Sequence, residues 1–488
     1  MRILLASSEV YPYSKTGGLA DMVASLAKAL ARGGHRVGIV TPLYGRIRER
    51  FPELKQLELP LELPLGARTV RGEIWTLDPI PGLTVYFVDQ PSFYHRADLY
   101  QEAGADYPDN AERFIFFSKV AAHLALQLDW QPEVLHVHDW QASTAALLMQ
   151  HQRKLAGQGT TPGVCLTIHN LAYQGLFPAS QYALTNLPGD YFTPDGVEFY
   201  GQLGCLKAGI VYADVITTVS PRYAREITTE AMGCGLDGLL RRRNSSLIGI
   251  LNGVDYEEWT TTKDPYLKHP YSAADLSGKA ANKLELQREF GLPIDANLPL
   301  FGNIGRLAEQ KGVEIMLGAL EEMLATNLQF VALGTGSAAL QKAYQDLTRR
   351  YPSQVSVRIG FDEGLSHRIE AGCDFFLMPS RFEPCGLNQM YGLRYGTIPI
   401  VRTTGGLDDT VIDVREDPDR ANGVKFIEYS APALAKSMRK ALALFDEPEL
   451  FHQFRQNAMA ADFSWAAQSS NMSRPISEPS WQSNTHSG

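Results

Sequence analysis

The sequence predicts an α/β protein built from two doubly wound, Rossmann-like domains, and three observations carry that reading. Short apolar runs alternate with helical stretches along almost the whole chain of 488 residues. Residues 2–41 already hold a strand, a helix and a second strand, a βαβ unit that implies parallel pairing and a right-handed crossover. The alternation then starts afresh near residue 298, after a polar stretch at 259–281 that carries Pro265 and Pro270.

Taken in order, residues 2–6 read as a buried strand and residues 7–18 as a polar, glycine-bearing loop. Leu19, Met22, Val23, Leu26, Ala27 and Leu30 follow at helical spacing, and Gly33-Gly34 ends that helix. Residues 37–41 form the next strand. Residues 134–137, 163–168 and 215–219 continue the first series. The second series has strands at 300–304, 330–333, 355–359, 375–378 and 398–401, with a helix over 313–324. We therefore expect a first domain over 1–248 and a second over 249–465. Residues 466–488 contain seven serines among 23 residues and no apolar period, and read as disordered. In sheets of this kind ligands bind beyond the carboxyl ends of the strands, so the loops there matter most.

Composition narrows the function. The chain is 44% hydrophobic and 20% charged, as in ordinary globular proteins. Its net charge of −9 argues against a nucleic-acid or anionic-membrane partner. The five cysteines, at 165, 205, 234, 373 and 385, include no CxxC pair, so neither a disulfide framework nor a zinc knuckle is expected. No apolar run approaches the roughly 20 residues of a membrane span, and the N-terminus enters a strand directly. We expect a cytoplasmic protein.

Four constellations sit at strand ends. Lys15-Thr16-Gly17-Gly18-Leu19-Ala20-Asp21 joins paired glycines to a helix N-terminus, a combination that admits an anion closely. It matches neither GxGxxG nor a P-loop. Gly305-Arg306 through Lys311-Gly312 brings two cations to one strand-to-helix loop, which suits a diphosphate. In residues 379–387, Pro384 suits the first position of a helix and leaves Glu383 at its cap. Cys385 beside it reads as a packed small residue or, at a helix start, a reactive thiol. His136-Val137-His138-Asp139-Trp140 and Thr167-Ile168-His169-Asn170 offer imidazoles and a carboxylate where sugar hydroxyls would find partners; a metal at His136, His138 and Asp139 is disfavoured for want of a fourth ligand. Thr403-Thr404-Gly405-Gly406-Leu407 adds a glycine loop on the same rim. Each taken alone also serves a plain turn, cap or solvated loop.

In combination, these motifs with Leu251-Asn252-Gly253-Val254-Asp255 and Arg381-Phe382-Glu383-Pro384-Cys385-Gly386-Leu387, in this order, resemble bacterial glycogen synthase and plant starch synthase, the ADP-glucose-using glucan synthases. The resemblance runs from residue 1 to about Trp465. It implies a retaining GT-B glycosyltransferase that adds glucose from ADP-glucose to the non-reducing end of an α-1,4-glucan and releases ADP, with no cofactor or metal. On that resemblance Lys15 belongs to the ADP-glucose site, with Gly17 and Gly18 beside the diphosphate. Arg306 and Lys311 are the diphosphate cations, Glu383 holds the donor glucose and His169 lies by the reacting sugar. Asp139 and Asn252 line the cleft, Asp21 is nearby, and Cys385, Gly386, Leu387, Gly405 and Gly406 complete the substrate-binding set. The first domain is then the acceptor side and the second the donor side. Two departures stand out. The position eight after Glu383, a second Glu in many enzymes of this architecture, is Tyr391. After Trp465 the family continues into an aromatic-bearing helix packed across the first domain, whereas this tail is polar. A transferase with another nucleotide-sugar donor and a catalytically weak glucan-binding protein are the alternatives.

Overall fold

The computed structural model describes residues 1–102, 104–156 and 161–472. Among them the first half forms a nine-stranded sheet. Its order is Leu247–Gly249, Val215–Thr218, Gly163–Ile168, Val134–His138, Arg2–Ala6, Arg36–Pro42, Leu83–Asp89, Arg68–Ile80 and Lys55–Leu65. The first seven strands pair in parallel, Ala6 lying beside Val40 and Val137. Their apolar residues are buried on both faces by helices such as Gly18–Arg32 and Asn110–Gln127, as parallel sheets require.

The last two strands are antiparallel and were not expected. Their signal is present in the alternation of residues 55–65, but Pro60 and Pro64 mask it. Both prolines stand on the edge strand, where a missing N–H costs no ladder bond.

The second half forms a six-stranded, all-parallel sheet in the order Val355–Ile359, Gln329–Gly334, Leu300–Ile304, Phe375–Met378, Ile398–Arg402 and Val424–Phe426. The strand order reverses direction next to Leu300–Ile304, so the loops after it and after Phe375–Met378 flank a switch-point crevice. The cores of both faces are apolar. Among the described residues no helix is long and apolar enough to cross a membrane.

The tail departs from expectation at its start. Residues 465–472 are helical, not disordered. The Ser464 hydroxyl caps this turn by accepting from the Ala467 amide at 3.2 Å, and the Trp465 indole donates to Ser25 Oγ in the first half at 2.8 Å. A serine-rich stretch lacks apolar period but supplies caps, and the tryptophan anchors the turn to the first half. Residues 473–488 of that expected tail lie outside the described residues.

Candidate active site between the two sheets

The residues expected on the donor side come together through two loops of the second sheet. The loop after Leu300–Ile304 passes Arg306 and makes one tight turn, Glu309–Lys311, before Gly312 and the helix Val313–Met323. Gly312 has φ +68, and a Cβ there would lie 2.1 Å from the Pro379 carbonyl oxygen, so only glycine lets the two loops meet. They are then joined by the Arg381 amide donating to the Gln310 carbonyl at 2.8 Å. This contact places Lys311 Nζ 2.6 Å from Glu383 Oε2, which also accepts from Ser380 Oγ at 3.0 Å. The Glu383 side chain is only 7% exposed, so the lysine and the hydroxyl compensate a buried charge.

Glu383 does not cap a helix. The helix expected from Pro384 begins at Asn388 and runs to Tyr395. Gly386, at φ +71, breaks the helical path, and the Gly406 amide donates to the carbonyls of Glu383 and Pro384. Gly405 and Gly406 approach so closely that a Cβ on either would lie 2.0 Å and 2.2 Å from the carbonyl oxygens of Glu383 and Cys385. The glycine loop thus shapes the carboxylate's main chain. Cys385 is buried and its thiol is pushed up to about 12 by desolvation, against the Asn252 main-chain contact that lowers it. Buried in this way, Cys385 stands as the packed small residue of the two readings.

The first half closes over this rim. Lys15 Nζ lies 3.0 Å from Asp21 Oδ1 on its own side and 3.0 Å from Glu363 Oε2 on the other. Gly18 faces Leu387, whose Cδ1 would lie 3.1 Å from a Cβ there. Nothing lies within 4 Å of such a Cβ at Gly17. Arg306 Nη1 donates to Tyr173 Oη at 3.1 Å across the cleft. Glu226 accepts from the Gly405 amide at 3.1 Å and pairs with Arg222, whose own amide donates to Asp409. Glu363, Tyr173, Glu226 and Arg222 were all missed by sequence reading. Glu363 follows the cap Asp362 in a helix's first turn, where an acidic residue reads as dipole compensation and nothing more.

On the first sheet, Asp139 opens the helix Asp139–Ala156 at φ +54 and its Oδ1 accepts from the His169 amide at 2.7 Å. Burial pushes its carboxyl up to about 7, although the amides of His169 and Asn170 pull the other way. His169 Nε2 meets His138 Nδ1 at 3.0 Å, and His136 Nε2 meets Thr167 Oγ1 at 2.6 Å. Burial lowers His136 to about 4, His169 to about 3, and His138 also well below the ordinary value. These imidazoles are neutral hydrogen-bonding groups near pH 7. Asn252 is buried, and its Oδ1 has no partner among the described residues. Asp21, half-buried beside two carboxylates, is raised to about 6 chiefly by desolvation. Tyr391 stacks on Trp259 at 3.6 Å between centroids, and Trp259 stacks on His367 at 3.9 Å. That column fills the place where a second carboxylate would stand.

Two facing sheets, with cations, glycine loops and a buried carboxylate at the carboxyl ends of one, define a GT-B glycosyltransferase. The starch synthase catalytic domain family matches residues 2–242, and the group 1 glycosyl transferases match residues 287–460. A glycogen synthase of an Anaeromyxobacter species is 49% identical over 472 residues, 95% of this chain and 96% of that protein. The glycogen synthase of Thioalkalivibrio sulfidiphilus is 48% identical over 95% of this chain and 97% of its own. The catalytic domain of starch synthase IV from Arabidopsis thaliana, solved bound to ADP and acarbose, superposes with a TM-score of 0.88 at 34% identity, covering 96% of this chain and 97% of that one. Sucrose-phosphate synthase from Thermosynechococcus elongatus shares the fold alone, at 17% identity and a TM-score of 0.60. The chain belongs to the glycogen synthase family.

Proposed function

We propose that the chain transfers glucose from ADP-glucose to the non-reducing end of an α-1,4-glucan, with retention of configuration and release of ADP. The observation that carries this reading is the Lys311–Glu383 pair at a switch-point crevice, set in a chain of the glycogen synthase family. Arg306 and Lys311 take the donor diphosphate, and Glu383, with the backbone of Cys385, Gly386 and Leu387, orients the donor glucose. Gly17, Gly18, Gly405 and Gly406 bring main chain close to the nucleotide sugar. Lys15 and Asp21 act from the first half, toward the nucleoside end. Its partner Glu363 follows an edge strand two places from Leu300–Ile304, which corresponds to about 10 Å at ordinary strand spacing. His169 and Asp139 face the sugars from the first half, whose residues 1–248 serve the acceptor; Asn252 faces them from the start of 249–465, which serve the donor.

The chemistry follows from these positions. The bond from glucose C1 to the phosphate oxygen breaks, and the negative charge left on the phosphate is stabilised by fixed cations. The acceptor O4 attacks on the same face, and the departing phosphate oxygen takes its proton. A neutral imidazole at His169, held by the buried His138, suits contact with an uncharged sugar. A cytoplasmic location fits this substrate pair.

The test is ADP release from ADP-glucose with glycogen, with UDP-glucose as the competing donor. We expect ADP-glucose to be preferred and Glu383→Ala to lower kcat by about a hundredfold or more. Equal turnover by Glu383→Ala, or preference for UDP-glucose, would refute the corresponding part of the reading.

A further inference from the structure

Tyr200 occupies a position that its own conformation disfavours. It forms, with Gly201, the two-residue turn between the strands Glu198–Phe199 and Gln202–Gly204, in which Phe199 pairs with Gln202. Both turn residues have positive φ, +48 at Tyr200 and +80 at Gly201. Turns of this type favour Asn-Gly or Asp-Gly, because a left-handed backbone is costly for a bulky L side chain. Burial does not repay that cost, since Tyr200 is 81% exposed. The turn is nonetheless built firmly. Glu198 Oε1 accepts from the Gly201 amide at 2.5 Å, and the Phe199 ring meets the Tyr200 ring edge-on at 4.7 Å. A Cβ at Gly235 would lie 3.1 Å from Phe199 and 3.6 Å from Tyr200, so the neighbouring loop is shaped around the pair.

The surroundings lead back to the cleft. Pro178, Gln202 and Phe199 form one cross-strand row, with Pro178 and Gln202 exposed. Leu176, two residues up the same strand from Pro178, is 39% exposed, and Tyr173 before it is 48% exposed and bonded to Arg306. A solvent-facing strip thus runs from a donor-side cation, along one face of a small sheet, to a projecting aromatic ring.

We propose that Tyr200, seconded by this strip, is a stacking platform for the α-1,4-glucan chain at a distance from the transfer site. A neutral polymer of glucopyranose offers flat C–H faces to an aromatic ring and hydroxyls to an amide such as Gln202, and it calls for no basic surface. A bulky residue that stands against its backbone preference while 81% exposed is explained by a ligand that needs the ring. This inference rests on the reading that the chain elongates a glucan.

The experiment compares the full chain with Tyr200→Asn and Tyr200→Trp. It measures retardation in glycogen-containing native gels, KM for glycogen, maltotriose and ADP-glucose, melting temperature and sedimentation mass. Tyr200→Asn should weaken glycogen binding and raise the glycogen KM about five- to tenfold, the scale of one aromatic contact. It should leave kcat and the KM for ADP-glucose unchanged, and raise the KM for maltotriose less than that for glycogen, with melting temperature equal or higher. Tyr200→Trp should bind glycogen as the parent does. Unchanged glycogen affinity in Tyr200→Asn, equal loss in Tyr200→Trp, or a change of mass showing that a second copy covers the ring would each overturn the platform. Failure of the parent chain to release ADP would tell against the synthase reading, while gel retardation would still decide the platform.

Discussion

Lys15 of the first half and Glu363 of the second meet across the cleft at 3.0 Å, with the lysine held also by Asp21. Both side chains of the pair are mostly enclosed, at 17% and 16% exposed. Tyr11 and Phe361 set their rings near the ammonium, at 5.2 Å and 5.4 Å. The pair is therefore a tie between the halves. Glu363→Gln should let the cleft open, seen as a larger radius of gyration by X-ray scattering, and should cost about 2 kcal/mol, between surface and buried ion-pair values. An unchanged radius would show that the tie does not hold the halves.

The Lys311–Glu383 pair is asymmetric, with side chains 26% and 7% exposed. Lys311→Ala leaves a buried carboxylate with only Ser380 and should cost about 3 kcal/mol in urea unfolding. Glu383→Gln leaves a lysine that reaches water and should cost about 1 kcal/mol or less. Equal losses would contradict this account, whatever happens to turnover.

Gly405 stands at φ +44 with the Glu383 carbonyl oxygen 2.0 Å from where a Cβ would go. Gly405→Ala must therefore push the Glu383 main chain. A misplacement of about 1 Å at a reacting centre costs on the order of a hundredfold in rate. Steady-state kinetics should show that loss in kcat/KM for ADP-glucose. A variant with parental kinetics would mean that this backbone approach does not set the carboxylate's position.

Asp139 gives a pH signature. Burial raises its carboxyl to about 7, so the folded state prefers the protonated form. The stabilisation is complete below the ordinary aspartate value, about 4, and is lost as pH rises through 7. Asp139→Asn keeps an acceptor for the His169 amide and tolerates positive φ, but does not titrate. Melting curves from pH 4 to 8 should show the variant gaining on the parent chain as pH rises. A constant difference would exclude Asp139 as the source.

Tyr391 also resists replacement. Its ring lies 5° from parallel with Trp259 in a buried column. Tyr391→Glu should lower stability by about 3 kcal/mol or more, because it removes the stack and buries a carboxylate there. A melting temperature equal to the parent's would show that this column contributes little.

What the sequence determined by itself was local. Apolar runs at 2–6, 134–137, 300–304 and 375–378 marked strands buried on both faces, and the glycines and charges after them marked the loops that would matter. Arg306, Lys311 and Glu383 could be proposed from the sequence because strand, loop and charge lie within a few residues of each other. The hairpin at 55–80 was obscured by edge prolines, and Pro384 suggested a helix that the close approach of Gly406 and the turn at Gly386 forbid. Only the tertiary structure paired Lys15 with Glu363, 348 positions away, Arg306 with Tyr173, and Gly405 with Glu226. Periodicity and turn chemistry act over one turn of chain, whereas the partner of a charge is chosen by how the two sheets face each other. That choice decided which cations are tied across the cleft and which carboxylate each one compensates.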